Sequence, residues 1–413
     1  MQAEAVGSQQ LVKGINRMSI IRRLLAKPGQ SRADLAGAVG LTKSTVGLLA
    51  RELIAEGWLV EREIVATGDM GRRPTPLFID PGRLLLIGVD LGTESVRVLA
   101  TSLTGEVQAC TEDSYGTART PKACIRVLAT ALQRISASLD QKQEVLGIGI
   151  GLPGGVDEAR GVLHLAPNFG WRDVPFAALL SEKLKGTTLS SVPLFLQNEA
   201  AVAAVGEMEF NPAPACDPLL YVSISRGLGA GVIVGDRLLT GKRGFAGEVG
   251  HTVLQLNGPS CSCGRRGCAE ALIAMPAMLN GRGDHPALSS LSEVRMHLDK
   301  QDAETLKAVD SAGRYLGVLL QNLATAYDPG CIVLGGTIVE LGGPFLKPAL
   351  DTLSDYARAA GLAPPTVRTS RFGVNAVAVG AAALARYRLT RPSLLLPDGE
   401  GTPNMAISTE EMR

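Results

Sequence analysis

The sequence lacks the features of several protein classes. Its formal net charge is only +1 at pH 7, so it has no strong overall affinity for polyanions. It has no apolar run long enough to span a membrane, and its first ten residues, MQAEAVGSQQ, do not resemble a secretory signal. Short-period repeats and low-complexity tracts are also missing. We therefore expect a cytoplasmic protein that contacts no membrane and whose nucleic-acid surface, if present, is local.

Length and composition bound the organisation of the chain. Its 413 residues are enough for two or three domains with sizeable cores. Apolar residues make up 46% and charged residues 20%, which is typical of a globular protein and not of a disordered one. In a cytoplasmic protein we expect four of the cysteines to be reduced core residues: Cys110, Cys124, Cys216 and Cys331.

Four metal-binding side chains lie close together in the second half of the chain. They are His251, Cys261, Cys263 and Cys268, with glycines and a proline between them. Zn²⁺ prefers four nitrogen or sulfur ligands in a tetrahedron, and the glycines and proline supply turns that let the side chains converge. A disulfide pair beside ordinary buried cysteines is the alternative. We predict one structural Zn²⁺ per chain, because the set leaves no obvious open position for catalysis.

The start of the chain predicts a DNA-binding module. Apolar residues at steps of three and four indicate a helix over residues 15–26. Ser31 and Asp34 have the spacing of a capping box for a short second helix, and a third helix follows over residues 42–56. Two strands separated by a glycine turn come next. The pattern is typical of a winged helix-turn-helix over residues 1–80.

This module has an expected DNA-contacting surface. The start of the third helix faces the major groove, and arginines at the tip of the wing suit phosphates or a narrow minor groove. The residues expected to contact DNA are Thr42, Lys43, Ser44, Thr45, Arg51, Arg72 and Arg73. Eleven Lys and Arg against eight Asp and Glu give the module a charge of +3, which is the sign expected of a domain that binds the phosphates of DNA. A small helical protein-interaction module is the alternative.

From residue 84 the pattern changes to that of an α/β domain. Buried strands alternate with glycine turns and helices, and two similar halves indicate duplicated lobes around a cleft. We predict a multidomain chain with four parts: the winged helix-turn-helix at 1–80, a first α/β lobe at 84–200, a second α/β lobe with the metal loop at 201–391, and a flexible tail at 392–413.

The motifs from residue 84 to 391 identify a family. This part resembles the ROK group, which contains bacterial transcriptional repressors and sugar kinases on the two-lobed hexokinase/actin-like ATPase fold. The histidine and cysteine cluster is the most specific part of the match. The winged helix-turn-helix in front is similar to the repressor branch, which includes xylose and N-acetylglucosamine repressors. Kinases of the group begin directly at the first ATPase strand.

The resemblance implies a sugar site. Asn198 matches the asparagine of the family's Asn-Asp pair, Glu248 and His251 match its GExGH segment, and Glu270 matches the acid after the last cysteine. The residues expected to bind sugar are Gly155, Asn198, Glu199, Glu248, His251 and Glu270. Carboxylates and an amide can hydrogen-bond to neighbouring hydroxyls, and glycine lets the backbone approach the ring. His251 could bind metal through one nitrogen and sugar through the other, or serve as a metal ligand only.

The same resemblance argues against phosphoryl transfer. The family's kinases have an Asp base where this chain has Glu199, and the extra methylene displaces the carboxylate by roughly 1 Å. The first phosphate turn has Thr93 where the kinases have glycine, followed by Glu94, whose charge repels a triphosphate. Arg226 occupies a position in the second turn where the kinases have a small residue.

These observations predict a sugar-responsive transcriptional repressor of carbohydrate genes and no enzyme activity. A homodimer or homotetramer is expected, because two modules related by a twofold axis read a palindromic double-stranded operator. The effector is expected to be a monosaccharide or a sugar derivative, with xylose, glucose and N-acetylglucosamine as examples. A ROK sugar kinase with an attached DNA-binding domain and a repressor that senses no sugar are the alternatives.

Overall fold

The computed structural model describes residues 9–62, 75–211, 216–280 and 286–391. The chain divides into two compact units, Met1–Asp80 with Tyr387–Arg413 and Pro81–Arg386. Among the described residues, no helix is long and apolar enough to cross a membrane. The predicted tail and the two wing arginines, Arg72 and Arg73, lie outside the described residues.

The first unit contains the predicted helix-turn-helix. Its elements are α1 (Gln9–Ala26), α2 (Arg32–Val39), α3 (Lys43–Ala55), β1 (Leu59–Glu61) and β2 (Leu77–Ile79). The two strands pair antiparallel. Helix α1 begins well before the predicted residue 15. Its first turns are mostly exposed, so they carry no apolar periodicity that would have predicted them.

Local hydrogen bonds fix the turn between α2 and the helices beside it. The backbone N–H of Asp34 donates to Ser31 Oγ over 3.2 Å, and the Ser31 N–H donates to Asp34 Oδ2 over 3.1 Å, which is the predicted capping box. Gly40 has a φ of 70°, the left-handed conformation that ends α2 and redirects the chain into α3. Val46 and Leu53 of α3 are fully buried and belong to the apolar face of the third helix.

The second unit contains thirteen of the strands and nine of the helices that the structure describes. The strands are β3 (Leu84–Leu91), β4 (Ser95–Ser102), β5 (Val107–Ser114), β6 (Glu144–Leu152), β7 (Gly155–Asp157), β8 (Val162–Ala166), β9 (Trp171–Val174), β10 (Leu194–Asn198), β11 (Leu219–Ile224), β12 (Leu228–Val234), β13 (Arg237–Leu238), β14 (Cys331–Gly335) and β15 (Val367–Thr369). The helices are α4 (Pro121–Ser138), α5 (Phe176–Leu184), α6 (Glu199–Glu209), α7 (Ala269–Ile273), α8 (Met275–Asn280), α9 (Leu291–Asp299), α10 (Ala303–Tyr327), α11 (Gly343–Ala359) and α12 (Ala376–Thr390), whose last turn belongs to the first unit.

Two five-stranded sheets share one strand order. In the first sheet, β3, β4 and β5 form an antiparallel meander, and β6 and β10 add in parallel on the other side of β3. In the second sheet, β11, β12 and β13 form the meander, and β14 and β15 add in parallel beside β11. The repeated order is the duplication that the sequence predicted. A small third sheet, β7-β8-β9, completes the unit.

Helices α6 and α12 pack on the sheets through glycines. A Cβ at Gly88 of the first sheet would collide with the Ala378 carbonyl of α12, and one at Gly231 of the second sheet would collide with the Ala200 carbonyl of α6. The two helices meet at Gly206 and Gly380, where a Cβ on Gly206 would lie 2.8 Å from the Gly380 Cα. Helix α6 also runs across the boundary predicted between residues 200 and 201, so the lobe limits stay predictions.

The cysteines outside the metal cluster differ from their prediction. Cys216 and Cys331 form a disulfide, so the expectation that both are reduced was wrong. The first residue of β14 pairs with the first residue of β11, three residues after Cys216, and this register brings the two Cα atoms to 5.6 Å. Cys124 is buried as predicted, whereas Cys110 is exposed on the solvent side of β5 and is not a core residue.

Candidate functional site: a metal loop beside an interlobe cleft, and a helix-turn-helix face

The exposed face of α3 carries polar side chains. Lys43, Ser44 and Arg51 are exposed, and Lys43 and Arg51 lie two turns apart on one side of the helix. Leu48, which the sequence analysis did not include, is 50% exposed on the same helix. An apolar side chain on a polar helix surface can contact thymine methyl groups in the major groove.

The threonines at the start of α3 are oriented by the helix cap. Thr42 Oγ1 accepts the backbone N–H of Thr45 over 3.2 Å, and it lies 2.8 Å from Thr45 Oγ1 and 2.9 Å from Ser44 Oγ. These three hydroxyl groups therefore form one network at the helix N-terminus. The DNA contacts expected of Arg72 and Arg73, outside the described residues, stay predictions.

In the second unit, the four predicted metal ligands converge. One potential ligand atom from each of His251, Cys261, Cys263 and Cys268 lies within 4.8 Å of the others. The Cys263 and Cys268 sulfurs are 3.7 Å apart, and His251 Nδ1 is 3.6 Å from Cys261 Sγ. Zn–S bonds of ~2.3 Å and Zn–N bonds of ~2.1 Å in a tetrahedron require separations of about 3.8 and 3.6 Å. The donor set and its spacing therefore fit a zinc ion.

The thiols of this cluster are crowded. Burial, together with the neighbouring thiols, raises the pKa of Cys268 to about 12. Gly267, with a φ of 70°, lets the loop fold tightly, because a Cβ there would collide with the Gln255 carbonyl. A cation among these sulfurs would relieve the repulsion between thiolates.

The metal cluster is connected to two predicted sugar-binding acids. His251 Nε2 lies 3.8 Å from Glu248 Oε2, on the side of the ring opposite to Cys261. Glu270 accepts the Ser262 hydroxyl over 3.1 Å and the Leu228 backbone N–H over 3.2 Å. Glu270 therefore joins the metal loop to β12. Burial raises the pKa of Glu248, and the negative charge of Glu270 adds to the rise.

Asn198 has a structural role at the start of α6. Its Oδ1 accepts the backbone N–H groups of Ala200 and Ala201, and its Nδ2 donates to the Gly154 carbonyl over 3.0 Å. The amide therefore caps the helix and holds the loop that follows β6. The next residue, Glu199, begins the helix at the floor of the cleft between the sheets.

A first cavity of about 490 Å³ lies in this cleft and is rich in acids. Its acidic lining residues are Asp90, Glu112, Glu199 and Glu340, against the two arginines Arg97 and Arg226. Burial raises the pKa of Glu199 to about 8, and the charges of Asp90 and the neighbouring glutamates add to the rise. Burial likewise raises the pKa of Asp90 to about 6. Arg226 lies 3.4 Å from Glu94, so its charge is directed to a carboxylate across the cleft.

A second cavity of about 540 Å³ lies beside the metal loop. Gly155, Glu248 and His251 line it, so the structure brings three of the predicted sugar residues together there, whereas Glu199 lines the first cavity. The Phe245 ring packs against the backbone of Gly155, so close that a Cβ on Gly155 would collide with it.

Sequence reasoning missed several residues of the second cavity. Phe245, Arg172 and Arg243 line it, and no motif in the sequence marks them. Arg172 lies on β9 and the other two follow β13, so long-range folding brings them together. A local signal for Phe245 is its position three residues before Glu248, on the same loop.

With this geometry in place, comparison with known proteins settles the family. Residues 86–388 match the ROK family. The chain belongs to the ROK family. Residues 15–60 match a winged helix-turn-helix DNA-binding domain, which agrees with the element order of the first unit.

The relatives of this ROK protein include both branches of the family. A xylose repressor of Bacillus subtilis (strain 168) is 32% identical over 340 residues, covering 81% of this chain and 85% of the repressor. A glucokinase of Halalkalibacterium halodurans is 31% identical over 288 residues, covering 66% of this chain and 86% of the kinase. A solved ROK family transcriptional regulator, a homolog of the Escherichia coli MLC protein, has a TM-score of 0.75 at 22% identity and covers 93% of this chain and 98% of its own. The last likeness confirms the predicted fold.

Proposed function

We propose that this protein is a sugar-responsive transcriptional repressor. The observation that carries the proposal is the joining of a helix-turn-helix to a ROK unit in one chain, an arrangement in which 81% of the chain aligns with a xylose repressor. The exposed face of α3 would bind double-stranded operator DNA, with Lys43, Ser44 and Arg51 as contacts. A monosaccharide or a sugar derivative in the ROK unit would change the affinity for DNA.

The sugar site of this proposal lies around Glu248 and His251. The two side chains line the same cavity, and both carry polar atoms that can hydrogen-bond to vicinal hydroxyls. Bound Zn²⁺ would act as a structural cross-link between His251 and the three cysteines. With Nδ1 facing the thiols, the ring would be held so that Nε2 stays near Glu248.

Sugar can regulate DNA binding only if it prefers one arrangement of the protein over another. A coupling of ~1–3 kcal/mol would change DNA affinity by roughly 5–150-fold. We propose a homodimer or a homotetramer, because a twofold pair of helix-turn-helix modules reads two half-sites of a palindrome. A single module offers few base contacts.

The test is a DNA-binding measurement with and without sugar. Operator fragments are selected from random double-stranded DNA with the zinc-loaded protein, and their Kd is measured with xylose, glucose and N-acetylglucosamine, each also as its phosphate. Binding to a palindromic site that changes at least ~5-fold with one sugar supports the proposal. Lack of any specific DNA site, or a Kd that no sugar changes, contradicts it.

A sugar kinase is the second candidate, because a glucokinase aligns with 66% of the chain and Glu199 places a carboxyl group in the cleft. The charges of the first cavity argue against this activity. Both arginines of this cavity are paired with carboxylates, Arg97 with Glu112 and Arg226 with Glu94, so little positive charge is left to bind the phosphates of ATP. A coupled assay of ADP release with hexoses, pentoses and amino sugars is expected to show no turnover above a heat-treated control.

A further inference from the structure

A leucine lies on the outer face of α3. The buried residues of this helix share one side, and Leu48 lies on the opposite side, where it is 50% exposed. Ser44 is one turn before Leu48 and Arg51 is one turn after it, so the three side chains are neighbours on one exposed face. The apolar side chain of Leu48 is therefore available to a partner that covers this face.

The cations on both sides of Leu48 along the helix have no acidic partner. Elsewhere in the helix-turn-helix unit, Lys13 forms an ion pair with Glu52 over 2.8 Å. Among the residues that the structure describes, by contrast, no carboxylate lies within 4 Å of Lys43 or Arg51. The outer face of α3 therefore combines an apolar side chain with free positive charge, which suits a partner that carries both apolar groups and phosphates.

The major groove of DNA offers this combination. Helix α3 is the second helix of the helix-turn-helix, the one that enters the major groove. The apolar group at a base edge there is the 5-methyl group of thymine, and phosphates border the groove. A second copy of this chain fits less well, because a twofold contact through the same face would bring Lys43 and Arg51 against identical positive charges.

Gly47, the residue before Leu48, has no packing role in the described part of the chain. A Cβ on Gly47 would have none of the described heavy atoms within 4 Å, whereas at Gly88 and Gly231 the backbone of a packed helix fills this space. Glycine inside a helix is destabilising relative to alanine. The missing side chain leaves room for a partner to lie close to the backbone of α3.

We propose that Leu48 determines part of the DNA specificity of this protein by contacting the 5-methyl group of a thymine in each half-site, and that Gly47 lets α3 lie close to the base edges. Lys43 and Arg51 then bind phosphates, which carry no sequence information. This inference rests on the proposed function, because it names the base group that the proposed DNA interface recognises.

The experiment uses the full-length, zinc-loaded protein and the operator selected from random double-stranded DNA. Each thymine of the operator is replaced in turn by uracil, which keeps every hydrogen-bonding group of the base and lacks only the methyl group. At one or two positions of a half-site the Kd is expected to rise about 4-fold, the effect of losing one buried methyl group. Thymines outside the selected site are the control, and their replacement should leave the Kd unchanged.

A leucine variant locates the contact. Leu48→Ala is expected to bind the thymine operator roughly 10-fold more weakly. It should lose no further affinity when the critical thymine is replaced by uracil, because the partner of the methyl group is already absent. Leu350→Ala is the matched control, since Leu350 is also a helical leucine, 38% exposed on α11 of the ROK unit. This control should keep both the natural Kd and the response to uracil.

A glycine variant tests the close approach of α3. Gly47→Ala is expected to weaken operator binding roughly 10-fold, because the added methyl group separates the two surfaces. Amide hydrogen exchange in α3 should at the same time slow about 4-fold, since alanine stabilises a helix relative to glycine. Gly37→Ala on α2 is the matched control, because a Cβ there likewise meets no described atom within 4 Å. It should leave operator binding unchanged.

The outcomes separate this inference from the proposed function. An operator that responds to sugar but contains no thymine, or tolerates uracil at every thymine, overturns the inference alone. So does a loss at Leu48→Ala that is equal for the thymine and uracil operators. Natural affinity of Gly47→Ala overturns the close approach. A uracil-sensitive operator that no sugar affects supports the inference and contradicts the sugar-responsive repressor. If no specific DNA site is selected, both are wrong.

Discussion

Glu199 is expected to make the stability of the protein depend on pH. Burial raises the pKa of this carboxyl group from 4.5 to about 8, so the folded protein holds a proton there that the unfolded chain releases. The free energy of unfolding therefore falls as pH rises from about 4.5 to about 8, and the loss is complete above that range. Glu199→Gln keeps the shape of the side chain and removes the titration.

The size of the effect follows from the pKa. A rise from 4.5 to about 8 corresponds to at most ~5 kcal/mol at ~1.36 kcal/mol per pKa unit. Glu199 is only partly buried at the cleft, and solvent screening brings the expected value to ~2 kcal/mol. The Gln variant should thus match the natural protein most closely at about pH 4 and exceed its free energy of unfolding by ~2 kcal/mol at about pH 9.

The assay is urea unfolding of both proteins across this pH range. Glu106→Gln is the control, since Glu106 is exposed on the same lobe. The free energies of unfolding of this variant and of the natural protein should differ by an amount that does not vary with pH. If the free energies of unfolding of Glu199→Gln and of the natural protein differed by the same amount at every pH, this carboxyl would titrate in its ordinary range. The description of the first cavity as a site that disfavours negative charge would then be wrong.

Three further variants test the other parts of the proposal. Cys263→Ser should lose the bound zinc, measured by metal analysis, and lower the melting temperature, because one of four ligands is removed; a metal-free variant with unchanged stability and sugar response contradicts the structural role. Arg72→Ala together with Arg73→Ala should weaken DNA binding and flatten its salt dependence by about two phosphate contacts, and an unchanged salt slope argues against a wing contact. Glu248→Ala should abolish the sugar response in the DNA-binding measurement while operator affinity without sugar is retained, and a surviving response would place the sugar elsewhere.

The features that were predictable from the sequence are local ones. The capping box at Ser31, the helix after Thr42 and the metal cluster all depend on residues within a few turns of one another, and spacing alone carries them. The family motif placed Glu248 and His251 beside one cavity. These predictions needed no knowledge of how distant segments pack.

The features that were not predictable depend on contacts between distant segments. Arg172 and Arg243 reach one cavity only because β9 and the loop after β13 fold together, and no periodicity reports that. The partner of Cys216 likewise follows from the register of β11 and β14. The amide of Asn198 caps α6, a role that its motif did not predict, and its contact with sugar stays a prediction.

The glycine contacts of α6 and α12 have a mechanical consequence. Where Gly206 faces Gly380, backbone lies on backbone, and no side chain is present that could change rotamer to accommodate a new position. A relative movement of the two helices at this contact would therefore require no change of side-chain rotamer. A methyl group at Gly380 would collide with the Val202 carbonyl of α6, so Gly380→Ala is expected to change how closely the two helices pack.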